Sequence, residues 1–96
     1  MRVLLTGRMD NDAANQAIAD GTMPKLLQSL VEQIKPEAAY FTTTNGQRTC
    51  FFVFDMQDSS QMPAIGERLF ANGMSVAIRP VMNLEDLQKG LAAIDR

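Results

Sequence analysis

A chain of 96 residues, 46% hydrophobic and 21% charged, has the balance of an ordinary soluble domain with one modest core. Its net charge of −2, with no run of Lys and Arg, argues against an electrostatic grip on nucleic acid or an anionic membrane. The absence of His excludes Ser-His and Cys-His nucleophilic systems, histidine acid-base work and histidine-bound haem, zinc or non-haem iron.

Cys50 is the sole cysteine, so no internal disulfide and no cysteine-based metal site is expected. The acids are scattered rather than grouped at a loop spacing, and no cofactor is implied. No apolar run approaches the roughly 18 residues of a membrane span. The apolar part of MRVLLTGRMD is too short for a signal peptide, and a cytoplasmic location is expected.

Arg2 to Arg8 reads as a strand, β-branched and apolar. Asn11 or Asp12 can cap a helix over Ala13 to Asp20. Gly21 to Pro24 interrupts it, and a second helix, capped by Thr22, presents Leu27, Leu30, Val31 and Ile34 at core spacing. Lys35-Pro36 stops that helix.

Glu37 to Met56 then carries the strongest signal in the chain. Two β-rich runs meet at Asn45-Gly46, the dipeptide of a two-residue hairpin turn. Beyond it, Asp58-Ser59-Ser60 offers N-caps and Pro63 falls in the first turn of a third helix. Met62, Ile65, Leu69 and Phe70 lie along one side of that helix, and Asn72-Gly73 ends it. Met74 to Met82 is a fourth strand, and Pro80, lacking an N–H, places it at a sheet edge or ends it there. Asn83 caps a terminal helix with Leu84, Leu87, Leu91 and Ile94 in one stripe.

The order β-α-β-β-α-β plus a helix predicts an α+β fold: one ferredoxin-like domain over residues 1–96. Its four-stranded antiparallel sheet has the first and third strands central and both long helices on one face.

A two-residue turn pairs Thr44 with Gln47, Thr42 with Thr49 and Tyr40 with Phe51. Alternation then sorts Ala39, Phe41, Cys50, Phe52, Phe54 and Met56 onto the helix side, with Val3, Leu5, Val76 and Ile78. The other side carries Tyr40, Thr42, Thr49, Phe51, Val53 and Asp55. It is joined there by Leu4, Thr6, Arg8, Ser75, Ala77 and Arg79. Leu4, Tyr40, Phe51, Val53 and Ala77 would expose a few hundred Å² of apolar surface, large for a monomer. A second copy packed sheet to sheet, or the terminal helix, can cover it. The interspersed polar and cationic residues suit an enclosed, partly wet space between two copies.

This arrangement resembles the dimeric α+β barrel superfamily, in which two ferredoxin-like protomers pack sheet to sheet. More narrowly, RVLLTGRM, GTMPK, KPEAAYFTTTNGQRTCFFVFDM and RPVMNLEDLQKGL resemble a family of short, functionally uncharacterised bacterial proteins. The resemblance implies a homodimer and supplies no activity. The superfamily includes cofactor-free monooxygenases and lactone isomerases, as well as haem-using members whose His this chain lacks.

The site residues expected are Arg8, Tyr40, Thr42, Asp55 and Arg79, lining a pocket for a compact organic ligand. The arginines are the candidates for holding a carboxylate, since a guanidinium offers paired donors. An ion pair of Arg79 with Asp55, and a packing role for Tyr40 against Phe51, are the plainer readings. Any chemistry would be cofactor-free proton transfer, oxidation or isomerisation. The alternative is a non-enzymatic dimerisation or regulatory module with no pocket. RTCFFVFDM touches the RNA-recognition strand signature through Arg48, Phe52 and Val53. It has Thr49 and Cys50 where Gly and an aromatic belong, so nucleic acid is not an expected partner.

Overall fold

The computed structural model describes residues 1–94. Its elements are β1 (Arg2–Met9), α1 (Asn11–Ala19), α2 (Thr22–Ile34), β2 (Ala38–Thr44), β3 (Gln47–Asp55), α3 (Met62–Ala71), β4 (Met74–Pro80) and α4 (Leu84–Ala92). A single 3₁₀ turn, Ser59–Gln61, leads into α3. The strands form one antiparallel sheet in the order β2-β3-β1-β4, compatible with a ferredoxin-like fold. Among the described residues no helix is long and apolar enough to cross a membrane.

The hairpin register follows from its turn. Asn45 and Gly46 both have positive φ (52° and 76°), as the two central residues of a type I′ turn require. Thr44 therefore pairs with Gln47, Thr42 with Thr49 and Tyr40 with Phe51. Pro80 ends β4 on an edge of the sheet, where a missing N–H costs no ladder bond.

The core lies on one side of the sheet. Val3, Leu5, Met9, Cys50, Phe52, Phe54 and Met74 from the strands meet Ala14, Leu26, Leu30, Ile34, Ile65 and Leu69 from the helices. Gly7 gives this layer its close fit. A Cβ there would lie 2.7 Å from Met74 Cε and 2.9 Å from Cys50 Sγ.

Several expectations are corrected. The cap of α1 is Asp10, whose carboxylate accepts from Ala13 N, rather than Asn11 or Asp12. Gly21, in the left-handed region, occupies the cap position of α2, and Thr22 is its first helical residue. Thr22 instead donates its N–H and hydroxyl to Asp20, and those two bonds, hydroxyl first, pull the Asp20 pKa down.

The buried stripe of α2 is Leu26, Leu30 and Ile34, while Val31 is exposed. On α3, Ile65 and Leu69 are buried but Met62 and Phe70 stand at the surface. Phe41 lies on the helix side by alternation yet is 61% exposed. The helices leave edge strand β2 uncovered, and Phe41 touches the core through an edge-to-face contact with Phe52 at 5.8 Å.

Candidate functional site

The face of the sheet turned away from α1–α3 is the mixed one. Pairing across the strands stacks it into rows: Thr42–Thr49–Arg8–Ser75, then Tyr40–Phe51–Thr6–Ala77, then Ala38–Val53–Leu4–Arg79, and last Asp55–Arg2. Each row is two residues from the next, about 7 Å along the strands.

A depression of about 360 Å³ opens on this face, lined by Thr6, Arg8, Thr44, Thr49, Phe51, Ser75, Val76, Ala77 and Arg79. Arg8 and Arg79 stand two rows apart on neighbouring strands, about 13 Å by register, and both reach it. Neither forms an ion pair among the described residues. Thr49 is buried and has satisfied its hydroxyl locally, donating to Gln47 O at 3.1 Å. Thr6 has not. Its Oγ1 is buried and has no hydrogen-bond partner among the described residues, a costly arrangement that turning the side chain toward a polar ligand atom in the hollow would relieve.

The remaining expected residues fall outside this hollow. Tyr40 is opposite Phe51 on edge strand β2 and is 66% exposed. Thr42 is exposed beside Thr49. Asp55 sits at the far end of the sheet, opposite Arg2 rather than beside Arg79. Its carboxylate is 2.7 Å from the Met1 ammonium, and Gln57 Nε2 donates to it at 3.0 Å. The hydrogen bond from the ammonium, then its charge, holds the Asp55 pKa below the usual carboxylate range. Thr6 and Ser75 line the hollow without having been singled out. The signal for Thr6 was parity along the first strand, which sets it on the mixed face with Leu4 and Arg8; its pairing with Phe51 comes from the structure.

A larger hollow of about 430 Å³ lies where the end of α2 meets the start of α3, lined by Gln33, Lys35, Asp55, Gln57, Gln61 and neighbours. Many of its polar groups already serve one another. Gln33 Nε2 donates to Ala64 O and its Oε1 accepts from Arg68, Gln61 Oε1 accepts from Gln57 N, and Gln57 bonds Asp55. Such groups have little left for a ligand, and the mixed face is the better candidate.

Cys50 is inert by placement. It is buried on the helix side, and burial pushes its thiol pKa up, opposite to what a nucleophile needs. Among the described residues no three His, Cys, Asp or Glu side chains gather closely enough to hold a metal ion.

Chemically, the hollow offers two guanidiniums, the hydroxyl of Ser75 and, once turned outward, that of Thr6, with an apolar floor of Phe51 and Ala77. A guanidinium has only N–H donors to offer, in a planar fork, so its role here is to bind and orient an anion. No protein-family model matches the chain, and no curated protein is significantly similar to it.

Proposed function

We propose that this chain works as a homodimer, two ferredoxin-like protomers packed sheet to sheet in a dimeric α+β barrel, and binds a small organic anion between the facing sheets. The observation that carries this reading is the pair Arg8 and Arg79, without acidic partners among the described residues, around a hollow that also holds the orphan Thr6 hydroxyl. Guanidiniums gathered at one hollow favour a carboxylate, and the adjoining Phe51 and Ala77 favour a ligand with an apolar body. Tyr40 and Thr42 lie one strand over, where a ligand extending toward β2 would meet them. Asp55 belongs to the rim of the facing sheets.

The test is a thermal-shift panel of short aliphatic and aromatic carboxylates, run on the wild-type protein and on Arg8→Gln and Arg79→Gln. At least one carboxylate should raise the wild-type melting temperature, and both substitutions should abolish that rise. If no carboxylate shifts the wild type, or the variants respond as it does, the binding reading falls.

A dimerisation or regulatory module is the second reading. The continuous apolar row of Ala38, Val53 and Leu4 favours it, because such a row can close dry against its copy. A dimer structure with that interface filled and no cavity between the sheets would decide for it.

A further inference from the structure

Helix α4 differs from α1, α2 and α3, each of which buries at least one residue in the core. None of its residues is buried. Leu84, Leu87 and Leu91 are 69%, 39% and 48% exposed, and Met82 and Ile94, on either side of the helix in the chain, are exposed as well. A nine-residue helix is marginal in water by itself, so this one needs a surface to form against.

Its root is fixed and indicates which surface. Arg2 alternates with buried Val3, so its side chain is on the mixed face. Its Nη1 is 3.1 Å from the Asp86 carboxylate of α4, and its carbonyl accepts from Val81 N at 3.2 Å. The helix thus starts at the Arg2 end of the sheet face that α1–α3 leave bare. The molecule is 56 Å in its longest dimension, whereas its longest strand, nine residues, spans about 30 Å.

Area decides the occupant. Standard stable interfaces bury about 800 Å² per partner, a little over half of it apolar, and the bare sheet face, with a few hundred Å² of apolar surface, stands at the low end of that requirement. Four or five half-exposed aliphatic side chains add on the order of 200–300 Å² more, which brings a copy-to-copy interface toward that size. Folding α4 back over its own sheet would consume both surfaces at once and leave neither for a second copy.

We infer that α4 is an exchanged arm: each chain's Leu84, Leu87 and Leu91 pack on a second copy of this chain, across the rim of the facing sheets. The inference rests on the homodimer proposed above.

Two measurements test it. Sedimentation from nanomolar to micromolar concentration compares wild type with the Leu87→Asp/Leu91→Asp double variant. Amide hydrogen exchange of residues 84–92 is followed on the wild type above and below its dissociation midpoint. The variant should keep its circular dichroism, because both leucines are already partly solvated. Its dimer dissociation constant should rise about a hundredfold or more, since two arms are lost per dimer. The α4 amides should be protected only at concentrations where the dimer is populated. A dimer unaffected by the double substitution, with α4 exchange independent of concentration, overturns the arm and leaves the dimer standing. A wild type that is monomeric throughout overturns both.

Discussion

The guanidinium of Arg2 joins Asp86, 84 positions away in the chain, at 3.1 Å, while its Nε donates to Glu37 at 2.7 Å. One side chain thereby ties the first strand, the start of the hairpin and the root of α4. The hydrogen bond and charge of Glu37, ahead of those of Asp86, raise the already high pKa of Arg2. Asp86 also accepts from Asn83 N at 3.1 Å, and Asn83 Oδ1 accepts from Asp86 N at 2.8 Å, a reciprocal cap.

Asp86→Ala should therefore loosen α4 more than Arg2→Met, since it removes both the ion pair and half of the cap. Amide exchange over residues 84–92 should quicken in both variants, more in Asp86→Ala, with the amides of β1 unchanged. Added salt should narrow the difference between wild type and Arg2→Met, because the contact is solvent-exposed and screened.

Thr6→Val should stabilise the ligand-free protein by about 1 kcal/mol, because it deletes a buried hydroxyl with no partner and keeps the branched shape. Urea unfolding measures this. The same substitution should reduce any carboxylate-induced thermal shift, so stability and binding should move in opposite directions.

Gly7→Ala should cost about 1–3 kcal/mol, the usual cost of overpacking a close-fitted core. The new methyl would press on Met74 Cε, the end of a flexible side chain that can swing aside, and on Cys50 Sγ, which cannot. Cys50→Ala should therefore recover part of the loss in the double variant. A double-mutant cycle by urea unfolding reads the coupling.

Asp58 caps the turn before α3, accepting from Ser60 N at 3.2 Å and from the Ser60 hydroxyl. The hydroxyl bond, then the backbone bond, depresses its pKa. A carboxyl with a lowered folded pKa stabilises above its unfolded value, near 3.9, and loses that contribution as pH falls through the folded value. The melting temperature of Asp58→Asn should thus differ from wild type most at neutral pH, and the two should converge as the pH drops below 3.9. Differential scanning at stepped pH checks this.

Much of the sheet was legible because its signals are local. Asn45-Gly46 demands a turn that settles the pairing of every residue from Thr44 outward, and Pro80 marks an edge by its chemistry alone. Coverage was less legible. Alternation assigns Phe41 to a face, but whether a helix reaches over that face depends on where the layer ends. In α2 the run from Met23 to Ile34 supports two adjacent stripes, and the choice of Leu26 over Val31 is made by the sheet beneath.

The site divides in the same way. Parity, readable along the chain, puts Arg8 and Arg79 on one face but toward opposite ends of it; that both reach one hollow is a property of three dimensions. The place of Asp55 beside Arg2 follows from the antiparallel strands, but its ion partner does not, because that partner is the ammonium of Met1, a group no side-chain pattern reveals. The orphan state of Thr6 depends on the absence of any acceptor or donor around one oxygen, which is a property of three dimensions.

The Asn45-Gly46 turn also bears on how this chain could vary over evolutionary time. Because side chains alternate between two unlike faces, a one-residue insertion in that turn would shift one strand of the hairpin against the other. It would bring Tyr40 and Thr42 toward the helix side or drive Phe52 and Phe54 out of it. Individual positions on the mixed face can change in size or charge without disturbing the core. The length of the loop cannot. Related sequences should accordingly tolerate no insertion or deletion between Ala38 and Asp55.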